Sequence, residues 1–426
     1  MPPIPVLLVA AVFVAALALA VVRPWAVAEA WWTAAGAVLM LALGAVGPRG
    51  AWLALWQQAN VFLFLLGLMC IAGLADAAGF FDAAGALAAG LARGSGRRLL
   101  VATFGVGALL TAFLSNDATA LILTPVVYAI ATRLRLRPLP YLLAATFVAD
   151  TASLLLPVSN PINVLVGGRL HWALGTYLAH LLPAAVLVVL LNAAIFLAVF
   201  WRETGTRYEV DWRQLLAEAA PDRWHLFLTA AALVAIAIAY LVASAAGAPI
   251  GAVGCGGALL LALVATGRRR LDVRRVREHV SLSVLLYVAG LFVMVAALER
   301  AGVTTELTRL LGRFVESGPE AIGAGTIAAA VGSNLANNVP ASTFLLSGSA
   351  ALPPAAQAPF LAGVLLGADL GPNLTPVGSL STMLWLVAVR RRGVTVRAGD
   401  YLRLGAVTVP ILLLASWALV AATYRA

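Results

Sequence analysis

The chain has 426 residues, 62% of them hydrophobic and 11% charged, with a mean hydropathy of +0.98 and a formal net charge of +10. Soluble domains are about half apolar and a quarter charged, so this composition excludes a soluble enzyme, a disordered chain and a secreted disulfide scaffold. All 28 basic residues are arginine, and in a membrane protein that excess marks cytoplasmic loops rather than nucleic-acid binding.

A bilayer core takes about 20 apolar residues per helix. Apolar runs lie at 4–22, 31–47, 52–74, 99–114, 118–132, 139–157, 174–201, 225–245, 249–267, 281–298, 321–336, 340–352, 357–372, 376–389 and 402–423. The first has no basic leader and is followed by equally apolar runs, so it is predicted to be a transmembrane helix rather than a signal peptide. Arg93, Arg97 and Arg98 precede the two short runs 99–114 and 118–132, and Arg133, Arg135 and Arg137 follow them. With both clusters cytoplasmic, the pair is a re-entrant hairpin whose tip holds Ser115-Asn116-Asp117-Ala118-Thr119 near mid-membrane. The same rule places 202–223, 268–277 and Arg390-Arg391-Arg392 inside and both termini outside.

Ala149-Asp150-Thr151-Ala152-Ser153, with Pro157-Val158 after it, resembles Ala368-Asp369-Leu370-Gly371-Pro372, with Pro376-Val377 after it. Upstream, Ser115-Asn116 matches Ser333-Asn334 at nearly the same offset. The chain therefore reads as an all-α polytopic membrane protein of two repeats, each with three helices, a hairpin, a broken helix and a final helix. The first repeat is 1–201, with scaffold helices 1–74, interfacial helix 75–92, hairpin 99–132, broken helix 139–166 and helix 174–201. A cytoplasmic linker, 202–224, follows. The second is 225–426, with scaffold helices 225–298, interfacial helix 301–316, hairpin 320–352, broken helix 357–389 and helix 402–423. Five crossings per repeat make the second an inverted-topology copy of the first, the build of secondary transporters. A helix broken in lipid exposes backbone groups that lipid cannot satisfy, which is tolerated where they line a cavity.

Polar groups inside the membrane mark a pathway. The expected substrate-binding set is Ser115, Asn116, Thr119 and Asn160 in the first repeat and Asn334, Asn337, Asn338, Thr375, Gly378 and Ser379 in the second. Their oxygens, with exposed carbonyls and helix-end amides, suit either a cation or a polyhydroxy solute. Asp117, Asp150 and Asp369 are the expected proton-coupling residues. Burying a charge is costly, so Asp117, with no basic neighbour in sequence, is the preferred proton carrier; capping the helix 118–132 is its alternative or additional role. Asp150 and Asp369, related by the repeat, serve either in coupling or as braces to the facing hairpins.

Other signals are sparse. Cys70 and Cys255 lie inside apolar runs away from the breaks, so no thiolate metal site is expected. His171, His180, His225 and His279 are isolated, and Gly254 to Gly257 reads as close helix packing. No nucleotide-binding motif, catalytic pair or cofactor is expected, so the chain reads as a transporter and not an enzyme.

The run Asn116-Asp117-Ala118-Thr119-Ala120-Leu121-Ile122-Leu123-Thr124-Pro125 resembles the ArsB family, the arsenite/antimonite efflux permeases of the ion transporter superfamily. So do Ala149-Asp150-Thr151-Ala152-Ser153 with Val158-Ser159-Asn160, and Asp369-Leu370-Gly371-Pro372 with Thr375-Pro376, Gly378-Ser379-Leu380 and Leu384-Trp385-Leu386. Gly79-Phe80-Phe81 and Asn337-Asn338-Val339-Pro340 extend the likeness over essentially the whole chain. The resemblance implies an elevator-type inner-membrane carrier that exports trivalent arsenic and antimony in exchange for protons. It implies roles in substrate binding or coupling for Asn116, Asp117, Asp369 and Gly378-Ser379, and, for some members, a soluble arsenite-stimulated ATPase partner. The basic loops 202–223 and 268–277 are either topology determinants or docking surfaces for such a partner. Ala368 and Asn373 stand where the family often has Cys and Lys, which argues against a thiol at the site and against a model needing positive charge there.

Neutral arsenite is a small uncharged trihydroxide, for which Asn, Ser and Thr are hydrogen-bonding partners worth about 1 kcal/mol per net contact. A proton entering on a buried carboxylate supplies about 2.3 kcal/mol per charge per 100 mV. The alternative is a sodium- or proton-coupled carrier of small organic anions with the same fold, against which the three carboxylates and the lack of Arg at the breaks both count.

Overall fold

The computed structural model describes residues 6–22, 27–209, 211–219, 222–246, 248–303, 306, 315, 318–390 and 392–424. The chain opens with helices α1 (Val6–Val22), α2 (Glu29–Ala42), α3 (Pro48–Gln57) and α4 (Ala59–Ala77). Gly79, at φ +73°, turns the chain into α5 (Phe80–Leu91), which leads to the antiparallel pair α6 (Gly96–Phe113) and α7 (Asn116–Arg133). Then come α8 (Leu139–Thr151), α9 (Pro161–Arg169), α10 (Leu174–Val199), α11 (Trp212–Ala219), α12 (Arg223–Ala245), α13 (Ile250–Gly267), α14 (Val273–His279) and α15 (Leu282–Arg300). The chain closes with the hairpin α16 (Gly318–Ala336) and α17 (Asn338–Gly348), followed by α18 (Pro354–Leu370), α19 (Leu380–Arg390) and α20 (Ala398–Thr423). Among the described residues, seven spans are long and apolar enough to cross a membrane.

Most apolar runs fold where they were expected. The run 52–74 begins inside α3, and the chain breaks at Gln57-Gln58 before α4. The interfacial helix expected at 75–92 begins three residues later than α4's last turn, as α5. Its counterpart at 301–316 lies largely outside the described residues.

Small residues decide how the first helices pack. Gly67 of α4 abuts the backbone of Gly254 and Cys255 in α13, and earlier on both helices the Asn60 Oδ1 accepts from the Gly251 amide at 2.8 Å. These contacts climb both helices in the same direction, so α4 and α13 run parallel. The same holds for α2 and α15, where Thr33 Oγ1 donates to the Tyr287 carbonyl at 3.3 Å and Gly36 lies against the sulfur of Met294. Between α16 and α18 the approach is closer still. Gly363, Gly367 and Gly371 recur every four residues of the sequence and meet Ile322, Thr326 and Ala330 of α16, leaving no room for a Cβ. Such small-residue ridges let helices touch at the backbone in lipid, where burial of apolar surface provides no driving force.

Two helices are interrupted. After α8 the chain passes through 3₁₀ turns at Ala152–Leu155 and Pro157–Ser159, with Leu156 extended between them, before Asn160 caps α9. After α18 it passes through Gly371–Leu374 and an extended Thr375 before α19. Prolines at 157, 161, 372 and 376 withhold amide donors and restrict φ in both gaps.

The linker 202–224 is not a free loop. It lies against the base of α5 to α7: the Gly96 amide donates to Thr206 O at 3.0 Å, and the Tyr208 amide to Gly94 O at 2.9 Å. The Arg97 guanidinium stacks 3.5 Å from the Trp201 ring centre, and Arg133 pairs with Glu218 at 2.6 Å.

Candidate functional site

Polar residues cap both hairpin tips. Ser115, in extended conformation, accepts from the Ala118 amide at 3.2 Å and so opens α7. Asn116 donates from its side-chain amide to Asp150 Oδ1 at 3.2 Å, and Ser381 Oγ donates to the Asn116 carbonyl at 3.2 Å. Thr119 pairs with Thr111 at 3.0 Å. Asp117 is partly buried and forms no hydrogen bond or ion pair among the described residues. Capping of α7 thus falls to Ser115, and the Asp117 carboxylate is left uncommitted.

At the second tip the cap is Asn337, held at φ +73°, a conformation uncommon and strained for a non-glycine residue. The Asn338 amide docks on Gly378 O at 3.0 Å, and its side chain donates to Ala368 O at 3.4 Å. The structural counterparts of Ser115-Asn116 are therefore Asn337-Asn338, not Ser333-Asn334. The repeat match pairs Ser115-Asn116 with residues one turn earlier, inside α16, which stays helical through Ala336; the gap between the apolar runs 321–336 and 340–352 falls at the tip itself. Asn334 instead ties α16 to the second break: it donates to Ala330 O and Gly371 O, both at 2.8 Å, and accepts from Thr375 Oγ1 at 2.7 Å.

The two breaks exchange partners. Asp369, at the end of α18, accepts from Asn160 at 2.7 Å and Asn163 at 2.9 Å, both from the first break. Asp150, at the end of α8, accepts from Ser379 at 2.8 Å and Thr382 at 3.0 Å, both from the second. Asp150, Asn160 and Asn163 stand 219 residues before Asp369, Ser379 and Thr382 respectively, so one bonding pattern is made twice with the halves swapped. All six are at most 1% exposed. Asn163 supplies one of the two side-chain bonds to Asp369 and Thr382 one of the three to Asp150; neither is in the expected binding set, and the signal that marks both is a polar side chain inside an apolar broken helix.

A further buried group was not expected. Asn192 of α10 donates to Thr151 Oγ1 at 2.8 Å, and Asn373 donates to the same oxygen at 3.2 Å. Asn373 thus braces α8 from the second break rather than offering a charge. Among the described residues no set of three His, Cys, Asp or Glu side chains could hold a metal, and Cys255 lies on the α4–α13 contact with its sulfur 3.7 Å from Leu63 O.

Cavities lie at opposite ends of α4. One, of about 770 Å³, is lined by Gln57, Gln58, Asn60, Asn163, His171, Trp172 and Tyr177, and among the described residues no Asp, Glu or Arg lines it. It reaches the breaks through Asn163, a ligand of Asp369. The other, of about 580 Å³, carries Asp76, Asp82, Glu278, His279 and Arg392 on its walls with Ile122 of α7 and Leu384 of α19.

Residues 17–367 match the citrate transporter family, CitMHS. The chain is 30% identical over 418 residues to an arsenical pump membrane protein of Escherichia coli K12, spanning 95% of this chain and 96% of that one. The YdaH transporter of Alcanivorax borkumensis shares its fold, with a TM-score of 0.53 at 14% identity over 98% of each chain. MtrF of Neisseria gonorrhoeae, described as illuminating a class of antimetabolite efflux pumps, gives a TM-score of 0.50 at 15% identity, covering 99% of this chain and 95% of that one.

Proposed function

The chain belongs to the citrate transporter family, as a multi-pass secondary transporter of the bacterial inner membrane, and we propose that it exports trivalent arsenic and antimony as neutral trihydroxides in exchange for protons. The observation that carries this reading is the chemistry at the breaks. Amides and hydroxyls surround Asp150 and Asp369, Asp117 is uncommitted, and no arginine bonds to any of the three among the described residues. An uncharged, hydroxylated cargo suits such a site, and weak multiple contacts allow release. The 30% identity to an arsenical pump membrane protein supports the same cargo.

The parallel pairs α2–α15 and α4–α13, and the bonding pattern repeated at a spacing of 219 residues, support two inverted repeats, 1–201 and 225–426. In that frame α6–α7 and α16–α17 are re-entrant hairpins, and each repeat crosses five times. The hairpins and broken helices then move as an elevator against the scaffold of α2, α4, α13 and α15. Asp117 carries the proton inward and Asp150 and Asp369 keep the two breaks in register. The energy comes from the proton gradient, about 2.3 kcal/mol per charge per 100 mV, so a soluble arsenite-stimulated ATPase is an accessory and not a requirement.

Everted vesicles from cells expressing this chain alone test the reading. Uptake of arsenite and antimonite driven by a pH gradient, and abolished by a protonophore, is the expected result; no gradient-dependent uptake overturns it. The family's citrate description favours the second reading, a sodium- or proton-coupled carrier of small organic anions. Three carboxylates without a cationic partner would repel such a cargo. Comparing antimonite with citrate, with and without sodium, separates the two.

A further inference from the structure

The two hairpins have similar shapes and unequal chemistry. At the first tip, Asp117 follows Asn116, and the Thr119 hydroxyl is already paired with Thr111. At the second, Val339 stands in the place of Asp117 and Ala341 in that of Thr119. The second tip therefore brings no charge. The hairpin brings three buried oxygens with no hydrogen-bond partner among the described residues instead: Ser333 Oγ, Asn338 Oδ1 and Ser342 Oγ, on residues 0%, 2% and 2% exposed.

These groups face the same neighbour. Ala329 and Ala330 of α16 pack on Gly367 of α18 and on Gly371 just after it, and Ser333 follows one turn later on that stripe. Asn338 reaches the Ala368 carbonyl of α18, and Ser342 stands one turn after it on the same face of α17. The next residue of α18, Asp369, bonds to Asn163, which lines the 770 Å³ uncharged cavity. Leaving a buried polar group unpaired costs free energy comparable to a lost hydrogen bond or more, so three on one hairpin point to a missing hydrogen-bonding ligand. Asn116 Oδ1 is unpartnered at the first tip too, but it sits between Asp117 in sequence and Asp150 in space, where negative charge favours a proton.

We propose that the neutral trihydroxide cargo is held by the second hairpin, through Ser333, Asn338 and Ser342, while the first hairpin holds the coupling proton and does not contact cargo. This rests on the arsenite and antimonite reading above. Three oxygens that accept, two of which also donate, match three hydroxyls that do both. The division also explains how a carboxylate that loads and unloads a proton avoids altering cargo affinity directly.

The experiment measures arsenite uptake in everted vesicles as a function of concentration and of pH. Ser333→Ala and Ser342→Ala each raise KM about fivefold, the equivalent of one net hydrogen bond, with the pH dependence unmoved. Ser342→Thr, which keeps a hydroxyl, restores KM, a recovery that a purely packing role would not produce. Asp117→Asn shows the opposite split: the pH dependence is lost while KM in proton-independent counterflow stays within twofold. Wild-type KM in both alanine variants, or a displaced pH profile in place of a raised KM, overturns the assignment. Wild-type vesicles that carry no arsenite or antimonite overturn the cargo reading itself, an outcome visible before any variant is made.

Discussion

Asn160 donates to Asp369 across 2.7 Å, joining residues 209 positions apart, and Ser379 returns the bond to Asp150 at 2.8 Å. Each aspartate is thereby satisfied by the cap of the other half's broken helix. Neither half can complete its own break, so this exchange holds the two breaks together at the centre of the fold.

Removing one donor leaves a buried carboxylate oxygen short of a partner. Asn160→Ala is expected to destabilise the protein by about 1–3 kcal/mol, and Ser379→Ala by somewhat less, since Thr382 remains on the same oxygen. Thermal unfolding of the purified protein in detergent reads this, and an unchanged midpoint for Asn160→Ala would remove the brace from the account.

Asp117 makes no bond that holds the fold among the described residues, since Ser115 caps α7. Asp117→Asn is therefore expected to insert and fold normally yet lose uphill, proton-driven efflux. Undiminished efflux against a gradient in everted vesicles would refute its role as the proton carrier.

The α16–α18 contact tolerates no side chain at Gly363, where a Cβ would meet the Ile322 carbonyl, or at Gly325, where it would meet that of Phe360. Gly363→Leu is expected to cost about 1–3 kcal/mol or more, as overpacking does, and to cut the yield of folded protein. Gly168, with open space around its Cβ position, is the control: Gly168→Ala should leave the size-exclusion profile unchanged.

Asp222 ties α12 to the end of α13. Its carboxyl is held below the ordinary carboxylate range by the His225 amide and by Arg268 at 3.0 Å, with Arg270 at 3.9 Å. A carboxyl depressed in the folded state stabilises above its unfolded pKa of about 3.9 and loses that contribution as pH falls through the folded value. Asp222→Asn keeps a capping side chain but drops both ion pairs. Its unfolding midpoint should sit slightly and equally below wild type at pH 6 and pH 8, and the gap should close only below about pH 4. A gap that widens in acid would contradict the sign.

Much of the site was legible because lipid penalises what water forgives. Asp150 and Asp369 stand out in apolar runs, and Pro157, Pro372 and Pro376 mark the breaks beside them, since proline cannot donate to a helix. The second tip was harder. Ser333, Asn334, Asn337 and Asn338 are all competent caps, and nothing local says which turn ends α16; docking of Asn338 on Gly378 decides it. In sequence the linker is a basic loop, a topology determinant or a docking surface, and its pairing with Gly94 and Gly96 depends on contacts across more than 100 residues.

The chain's own sequence determined that this is a polytopic membrane carrier with helices broken around buried carboxylates. Hydropathy, arginine placement and proline act within about 20 residues, the thickness of one crossing. Only the tertiary structure decided which carboxylate meets which cap, because bonds such as Asn160 to Asp369 depend on how the two halves lie against each other and not on any local propensity.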